Sequence, residues 1–496
     1  TIPVGVESRV IGLAYQLDQM SGAGLENYIA IKIELQGEVR RKPDGSSSFS
    51  KGIATYPGIG AVAQKIGSAD LGALYAASGN LNVVVGHLAQ SEEIPAYINV
   101  EDMLSKHFAV LGSTGCGKSS SVSLLLRAAQ EVVPDLRTLL LDPHSEYSSA
   151  FPEANTINVD RLEMPFWMFQ LDEYAEVLFR GQPIVNEEVE ALREFIPEAK
   201  QKYRDGEGGS LRANSSGTSM TGDTPVPYRI SDVLALIDAE AGQLEARFAR
   251  NTLKSLRSRI TAHGSDPRYK FMFRDKTISD KAEETLDQFF NLRGQSGSMT
   301  ILQMAGMPSE VVNAVASVLC RLAFELCIAA KGKMKILMVC EEAHRYIPAD
   351  LNGGFEPTRR AIARIAKEGR KYGAFISIIS QRPAELDPTI LSQCSTIFSL
   401  RLSNEHDQEL IRKAISNSSK STISFLSSLA NREAIAFGEG LSTPMRLRFR
   451  TMPQHWLPGK DIDVFDPSNH GASAPGSVFR NWRGVAGLSP TTRILE

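Results

Sequence analysis

The sequence predicts an α/β fold: a mainly parallel sheet, preceded by a small N-terminal β-barrel and carrying a helical insertion. Three observations lead there. A glycine-rich loop, Gly112-Ser113-Thr114-Gly115-Cys116-Gly117-Lys118-Ser119, sits between an apolar run and a helical one. From about residue 98, short continuous apolar runs alternate with helical stretches, the pattern of strands buried on both faces. Residues 1–97 instead carry short strands separated by Gly-rich turns, the texture of a small barrel.

Composition bounds the rest. At 496 residues the chain is too long for one core, so two or more domains are expected. Hydrophobic residues make up 42% and charged residues 22%, a globular composition, and the net charge of −3 excludes a bulk polycation. Any nucleic-acid contact must then come from local basic patches. The five cysteines, at 116, 320, 327, 340 and 394, are scattered and odd in number, which suits a reducing compartment and shows no metal-ligand spacing. The opening TIPVGVESRV does not read as a signal peptide, and no uninterrupted apolar run reaches transmembrane length, so a cytoplasmic location is expected.

Taken in order, NYIAIKIEL alternates Ile29, Ile31, Ile33 and Leu35 with Ala30, Lys32 and Glu34, the period of a half-buried strand. IGAVAQKIG and NLNVVVGHL add short strands. The core strands are HFAVLG (107–112), RTLLLD (137–142), SMTILQM (298–304), KILMVC (335–340), GAFISIIS (373–380) and STIFSLRL (395–402). This core spans 98–154 and 296–456. Residues 155–295 interrupt it with a helical insertion, where EEVEALREFIPEAKQKY and GQLEARFARNTLKSLRSRI have helical periodicity around a Gly/Ser/Thr-rich loop at 204–226. The segment 457–496 reads as a tail or brace.

The glycine-rich loop fits the Walker A spacing in full. Its glycines, Gly112, Gly115 and Gly117, let backbone N–H groups turn inward on a phosphate, with Ser113, Thr114 and Cys116 between them and Ser120 following. Lys118 is placed to reach the β- and γ-phosphates of ATP, and Ser119 to ligate Mg²⁺. KILMVCEEAH supplies a Walker B arrangement: Glu341 near the metal and Glu342 as the acid that orients and deprotonates the attacking water. An acid of that kind favours hydrolysis over phosphate transfer to an acceptor. Asp142, which ends the strand in TLLLDPHSEY, either supports metal-bound water with Glu146 or couples the site to movement, or else belongs to a turn and helix cap. Gln381, at the tip of AFISIISQRP, stands where a γ-phosphate sensor would sit. His144 and His344 show no metal-ligand spacing, and a structural hydrogen bond is expected for each.

RRAIARIAKEGRKYG forms a basic helix with Arg360, Arg364 and Lys367 on one face and a C-cap near Gly373. An arginine presented from here to a neighbouring subunit would stabilise transition-state charge; a solvated helix face is the alternative. In the insertion, Arg247, Arg250, Lys254 and Arg257 recur at spacings of three and four. They form a ridge for DNA phosphates, a solvated face or a subunit contact.

Together, LSKHFAVLGSTGCGKSSS, LLLDPHSEY, ILMVCEEAH, RIAKEGRKYG, ISIISQRP and TPMRLRFRTMP, in that order, resemble the HerA branch of the HerA/FtsK superfamily of ring-forming P-loop ATPases. The resemblance covers most of residues 1–20, 50–150 and 298–453. It implies a RecA/FtsK-like core and a barrel of the HAS type ahead of it. It further implies a homo-hexameric ring around double-stranded DNA, ATP-driven translocation, Glu342 as catalytic acid, Gln381 as sensor and a trans-acting arginine. The EGRK stretch falls on Glu368–Lys371, making Arg370 the first candidate and Arg364 the second. Family members work with an effector: a NurA-like or other nuclease in DNA end processing, or a sirtuin-like NADase in anti-phage defence. Ser145 stands where the family often has Gly, Glu341 replaces Asp, and the insertion matches only loosely, so no DNA-contacting residue transfers. The missing membrane segment argues against membrane-anchored FtsK-like and conjugative coupling relatives. Two alternatives share part of this evidence: a nucleotide-regulated scaffold ring that controls a bound effector, and a monomeric P-loop kinase, for which no acceptor site is visible.

Overall fold

A computed structural model describes residues 1–5, 7–20, 28–44, 46–77, 79–179, 182–206, 220–273, 280–294, 298–350, 355–414 and 425–459. Most of the 204–226 loop and nearly all of the tail after 457 lie outside the described residues. The chain forms two compact units: Thr1–Leu136 with Ala330–Asn352 and Ile365–Pro458, and Arg137–Ala329 with Gly353–Arg364 and Gly459–Glu496.

The first unit opens with β1 (Ile2–Pro3), β2 (Ser8–Met20), β3 (Tyr28–Arg41) and β4 (Ser47–Ser50), an antiparallel sheet in that order. The β2–β3 ribbon breaks register between Ile11 and Gly12 and between Ala14 and Gln16. Its base is packed: Ile11 and Val39 bury with Leu74 from the helix Ser68–Leu74, joined by Phe49, Ile66, Leu71 and Tyr75. Farther along, Ile29 and Ile31 keep the expected alternation but stay exposed. IGAVAQKIG is not a strand. Gly60 has φ +89, and Ile59 and Val62 are exposed, so this stretch has neither a strand neighbour nor a core to hold it extended.

Next come β5 (Asn82–Leu88), β6 (Ser91–Asn99) and β7 (Phe108–Leu111) in this unit. β8 (Leu136–Asp142), β9 (Asn155–Ile157) and β10 (Met299–Gln303) follow, then β11 (Lys335–Cys340), β12 (Ala374–Ser380), β13 (Thr396–Ser399), β14 (Glu433–Gly438) and β15 (Met445–Phe449). The main sheet of the first unit runs β6-β5-β15-β14-β13-β7-β12-β11. β13, β7, β12 and β11 are parallel neighbours, and the remaining strands pair antiparallel. β5 and β6 thus belong to this sheet rather than to that of β1–β4; Val85, Leu88, Ala96 and Ile98 are fully buried in it. The parallel strands are mostly apolar because both their faces are covered, as the continuous runs predict, with Ser377, Ser380, Thr396 and Ser399 buried among the apolar side chains.

In the second unit β8, β10 and β9 pair in parallel, in that order. Its helices include Leu171–Phe179, Asn186–Gly206, Ile230–Ala241, Arg250–Ser265, Ala282–Phe290 and Ser309–Ala329. The last is long and apolar enough to cross a membrane, but it is mostly buried in the protein. Arg321 within it pairs with Glu173 at 2.9 Å, the arrangement of a core helix. The helix expected over 242–260 begins only at Arg250. The preceding helix stops at Gly242, and Arg247 ties the corner by donating its backbone N–H to Glu240 at 2.5 Å and pairing its guanidinium with the same carboxylate at 3.1 Å.

Candidate nucleotide site

The parallel strands of the first unit end together. Leu111 of β7 pairs with Ser380 of β12 and Ser399 of β13, so the segments that follow leave the sheet at one edge. That carboxyl edge is where open α/β sheets place their ligands. The loop Gly112–Ser120 is anchored there. Gly112 N–H donates to Ser380 O (3.2 Å), Ser113 N–H to Arg401 O (3.0 Å), and Ser113 Oγ to the same carbonyl (2.9 Å). A Cβ on Gly112 would stand 2.8 Å from Leu400 Cβ and from Cys116 Sγ. Cys116 is fully buried, which pushes its thiol pKa up, so it fills space.

Gly115 and Gly117 take φ of +75° and +94°, turning the loop back on itself. Gly115 faces open space, whereas a Cβ on Gly117 would meet Asn431 Oδ1 and Arg432 Cγ, both at 2.9 Å. Arg432 also donates its backbone N–H to Cys116 O at 2.9 Å, so the start of β14 supports the loop from behind. The helix Lys118–Val132 has no side-chain N-cap. Its first-turn N–H groups and dipole are therefore directed at the loop, as an anion site requires.

Lys118 is buried with Glu341 and Glu342 at the end of β11. Its Nζ lies 2.5 Å from Glu341 Oε1 and 3.3 Å from Glu342 Oε1, with all three side chains less than a tenth exposed. Burial works against the ammonium, but the two carboxylates outweigh it and hold its pKa above the ordinary lysine value. Glu342 adopts φ +51°, a left-handed conformation that a non-glycine residue takes at a cost. Its Oε2 has no hydrogen-bond partner among the described residues. Gln381 follows β12 and takes a hydrogen bond at Oε1 from Thr114 Oγ1 (2.6 Å), so the sensor candidate touches the loop. The structure thus brings Gly112–Ser120, Glu341, Glu342 and Gln381 to one edge.

Asp142, Arg360 and Arg364 belong to the second unit, and Arg370 to the first. Asp142, in the second unit, is fully buried. Its two oxygens accept N–H from Glu146 (3.2 Å) and Tyr147 (3.0 Å), the turn alternative, and burial pushes its carboxyl up. Arg364, also in the second unit, is exposed and lies 4.7 Å from the Phe324 ring centroid. Arg360 pairs with Asp172 at 3.3 Å. Arg370 sits on the turn Gly369–Tyr372, exposed and without an ion pair among the described residues. Gly373 caps that turn at φ +86°, as its sequence position predicts. The basic ridge of the insertion is largely engaged within its own unit. Arg247 pairs with Glu240 and Glu194, Arg257 with Asp238 at 2.8 Å, and Arg250 donates to Gln243 O at 3.2 Å.

Sequence reasoning gave no part in the site to Ser380, Asn431, Arg432 and Arg401, and gave His344 only a structural hydrogen bond. Glu433, which holds the base of β14 through Arg446 and Arg448 (2.7 Å each), had a visible signal: those arginines alternate along β15 on one face.

A glycine loop on a helix start, a buried lysine and a pair of glutamates at the end of one strand define a P-loop ATPase. Residues 83–323 match the family model for the central domain of the helicase HerA. A probable helicase of Methanocaldococcus jannaschii is 26% identical over 428 residues, 84% of this chain and 75% of that protein. The DNA double-strand break repair helicase HerA of Pyrococcus furiosus is 22% identical over 450 residues, 79% of this chain and 75% of that protein. VirB4 of Thermoanaerobacter pseudethanolicus shares the fold, with a TM-score of 0.53 at 14% identity over 75% of this chain and 97% of that one. Over these stretches the chain is similar to the HerA family of P-loop ATPases.

Proposed function

We propose that this chain is the subunit of a hexameric, ATP-driven ring motor that moves on double-stranded DNA. The observation that carries the reading is the convergence of Lys118, Glu341, Glu342 and Gln381 on the glycine loop at one sheet edge. A motor needs an acid for hydrolysis and a group that detects loss of the γ-phosphate; a nucleotide-holding loop alone needs neither. The curated relatives are named as helicases, which agrees with DNA as the track.

In this account the N–H groups of Gly115–Ser120 wrap the phosphates, and Lys118 turns from its glutamates to the β- and γ-oxygens. The donor set suits a divalent ion: Glu341 already lies against a buried cation, and Ser119 starts the helix beside it. Bound Mg²⁺ would neutralise phosphate charge there, held by Ser119 and Glu341. Asp142 keeps the turn after β8. Glu342, released by Lys118, orients and deprotonates the attacking water, and Gln381 reads the γ-phosphate through its tie to Thr114. Arg370, exposed and without an ion pair among the described residues, is the first choice for the residue that reaches a neighbour's nucleotide, and Arg364 the second. We read the four-stranded antiparallel sheet as the family's small barrel. The ring is cytoplasmic and works with a nuclease or another effector in end processing or defence.

The test is ATP hydrolysis by the purified chain with and without linear duplex DNA, alongside the mass of the assembled species. DNA-stimulated turnover by a six-subunit particle supports the reading. A monomer whose turnover ignores DNA refutes it.

A further inference from the structure

Resting on that reading of the site, we infer that His344 is a positioning residue that holds the hydrolytic carboxylate once Lys118 has left it. Glu342 has two oxygens in different surroundings. Oε1 lies 3.3 Å from Lys118 Nζ. Oε2 has no hydrogen-bond partner among the described residues, yet His344 Nδ1 stands 3.3 Å away. The same Nδ1 is hydrogen-bonded to Ser380 Oγ at 3.2 Å. Ser380 is fully buried, its Oγ also accepts the backbone N–H of Arg382 at 3.0 Å, and it immediately precedes Gln381. His344 therefore stands between the carboxylate and the strand end that carries the sensor.

These contacts close a circuit. Thr114 on the loop holds Gln381; the chain runs back one residue to Ser380; Ser380 meets His344; His344 meets Glu342; and Glu342 meets Lys118, back on the loop. Lys118 fixes Glu342 from the Oε1 side. Phosphate competes for that ammonium, because three phosphoryl oxygens outbid two carboxylates that share one cation. Once Lys118 turns away, the buried carboxylate of a residue already at φ +51° has lost its cation, and an unsatisfied buried charge is costly. A small rotation of the imidazole moves its Nδ1–H from Ser380 Oγ to Glu342 Oε2. Nδ1 carries the proton in both arrangements, so no proton changes hands. The hydrogen bond fixes the carboxylate plane while Oε1 is freed for water. Because the rotation releases Ser380, it also couples the acid's orientation to the end of the sensor strand.

Displacing a reacting group by about 1 Å costs on the order of 100-fold in rate. His344→Ala is therefore expected to lower kcat for ATP by about 10- to 100-fold. KM and the affinity for a non-hydrolysable ATP analogue should stay within about 3-fold, because His344 makes its polar contacts to Ser380 and Glu342 and, among the described residues, no hydrogen bond to the phosphate loop. His344→Asn, whose amide N–H can donate from near the Nδ1 position, should recover most of the rate. Ser380→Ala in the His344→Ala background should add little, since both act through one contact. The assays use the full chain with DNA present, with thermal unfolding of each variant as the check on folding. Wild-type kcat in His344→Ala, no rescue by His344→Asn, or a fall in analogue affinity matching the fall in kcat would each overturn the inference. A wild-type chain that does not hydrolyse ATP would instead overturn the proposed function, which separates the two failures.

Discussion

Replacing Lys118 by methionine keeps the side-chain length and removes the charge. Its ammonium lies 2.5 Å from Glu341 and 3.3 Å from Glu342. At an effective dielectric constant of about 20, the two attractions amount to about 7 and about 5 kcal/mol before any cost is counted. Desolvation of three buried charges, several kcal/mol each, cancels much of that. The variant's loss is set by what it strands: two adjacent buried carboxylates with no cation. Deleting one partner of a buried ion pair costs about 3–5 kcal/mol, and this is the expected destabilisation. The pH behaviour follows from the sign of the shift. Lys118 is held above its ordinary pKa by Glu341 and Glu342 against the opposing effect of burial. Its contribution is therefore complete below about pH 10.4 and is lost only as pH rises through the higher folded value. Urea unfolding without nucleotide, between about pH 7 and about pH 9, should show the full difference throughout, as a lower midpoint at unchanged slope. Adding Glu341→Gln and Glu342→Gln to Lys118→Met should restore most of the loss. A Lys118→Met variant as stable as the wild type, or a triple variant less stable than the single one, would refute the buried network.

Three further outcomes follow from the same geometry. His107 is buried, accepts Ile376 N–H at Nδ1 and lies 3.1 Å from Ala366 O through Nε2, and burial pulls its pKa down to about 4. A depressed folded value means its contribution is complete above the ordinary histidine pKa of about 6.5 and is lost as pH falls to about 4, about 3 kcal/mol in all. His107→Asn should flatten that part of the stability profile; an unchanged profile would contradict the assignment. Gly117→Ala should cost about 1–2 kcal/mol from the left-handed backbone alone, plus the clash with Asn431 and Arg432. Gly115→Ala, with open space, should cost only the backbone part; thermal unfolding of the pair reads the difference. Arg370→Ala should leave stability within about 0.5 kcal/mol and lower turnover of the assembled protein by about 1,000-fold. Mixing it with Glu342→Gln subunits should restore part of the turnover, and no restoration would count against a trans-acting role.

The sheet was legible in the sequence because parallel strands covered on both faces are apolar at most successive positions rather than at alternate ones. HFAVLG, KILMVC and GAFISIIS therefore announce β7, β11 and β12 to within a residue or two. The loop and its acids were legible for a related reason: phosphate chemistry fixes the residue types and places them at strand ends. What failed depended on partners distant in sequence. IGAVAQKIG has the composition of a strand but no neighbour to pair with. The pattern over 242–260 continues past a corner that Arg247 and Glu240 tie shut, an ion pair that periodicity does not encode. β5 and β6 join the main sheet through β15, more than 300 residues away in sequence. His344 looked ordinary because its meaning lies in Ser380, 36 residues on. The Walker A motif marks Lys118 as a phosphate ligand, and its pairing with Glu341 and Glu342 is a long-range contact that the local motif does not reveal.

The measurement that bears most directly on the account is ATP turnover by Glu342→Gln, with nucleotide affinity determined on the same preparation. The substitution leaves Lys118 its closer partner, Glu341, so the loop should bind nucleotide within about 3-fold of wild type while turnover falls by at least about 100-fold. Hydrolysis at the wild-type rate would contradict the assignment of Glu342, and with it the site described above.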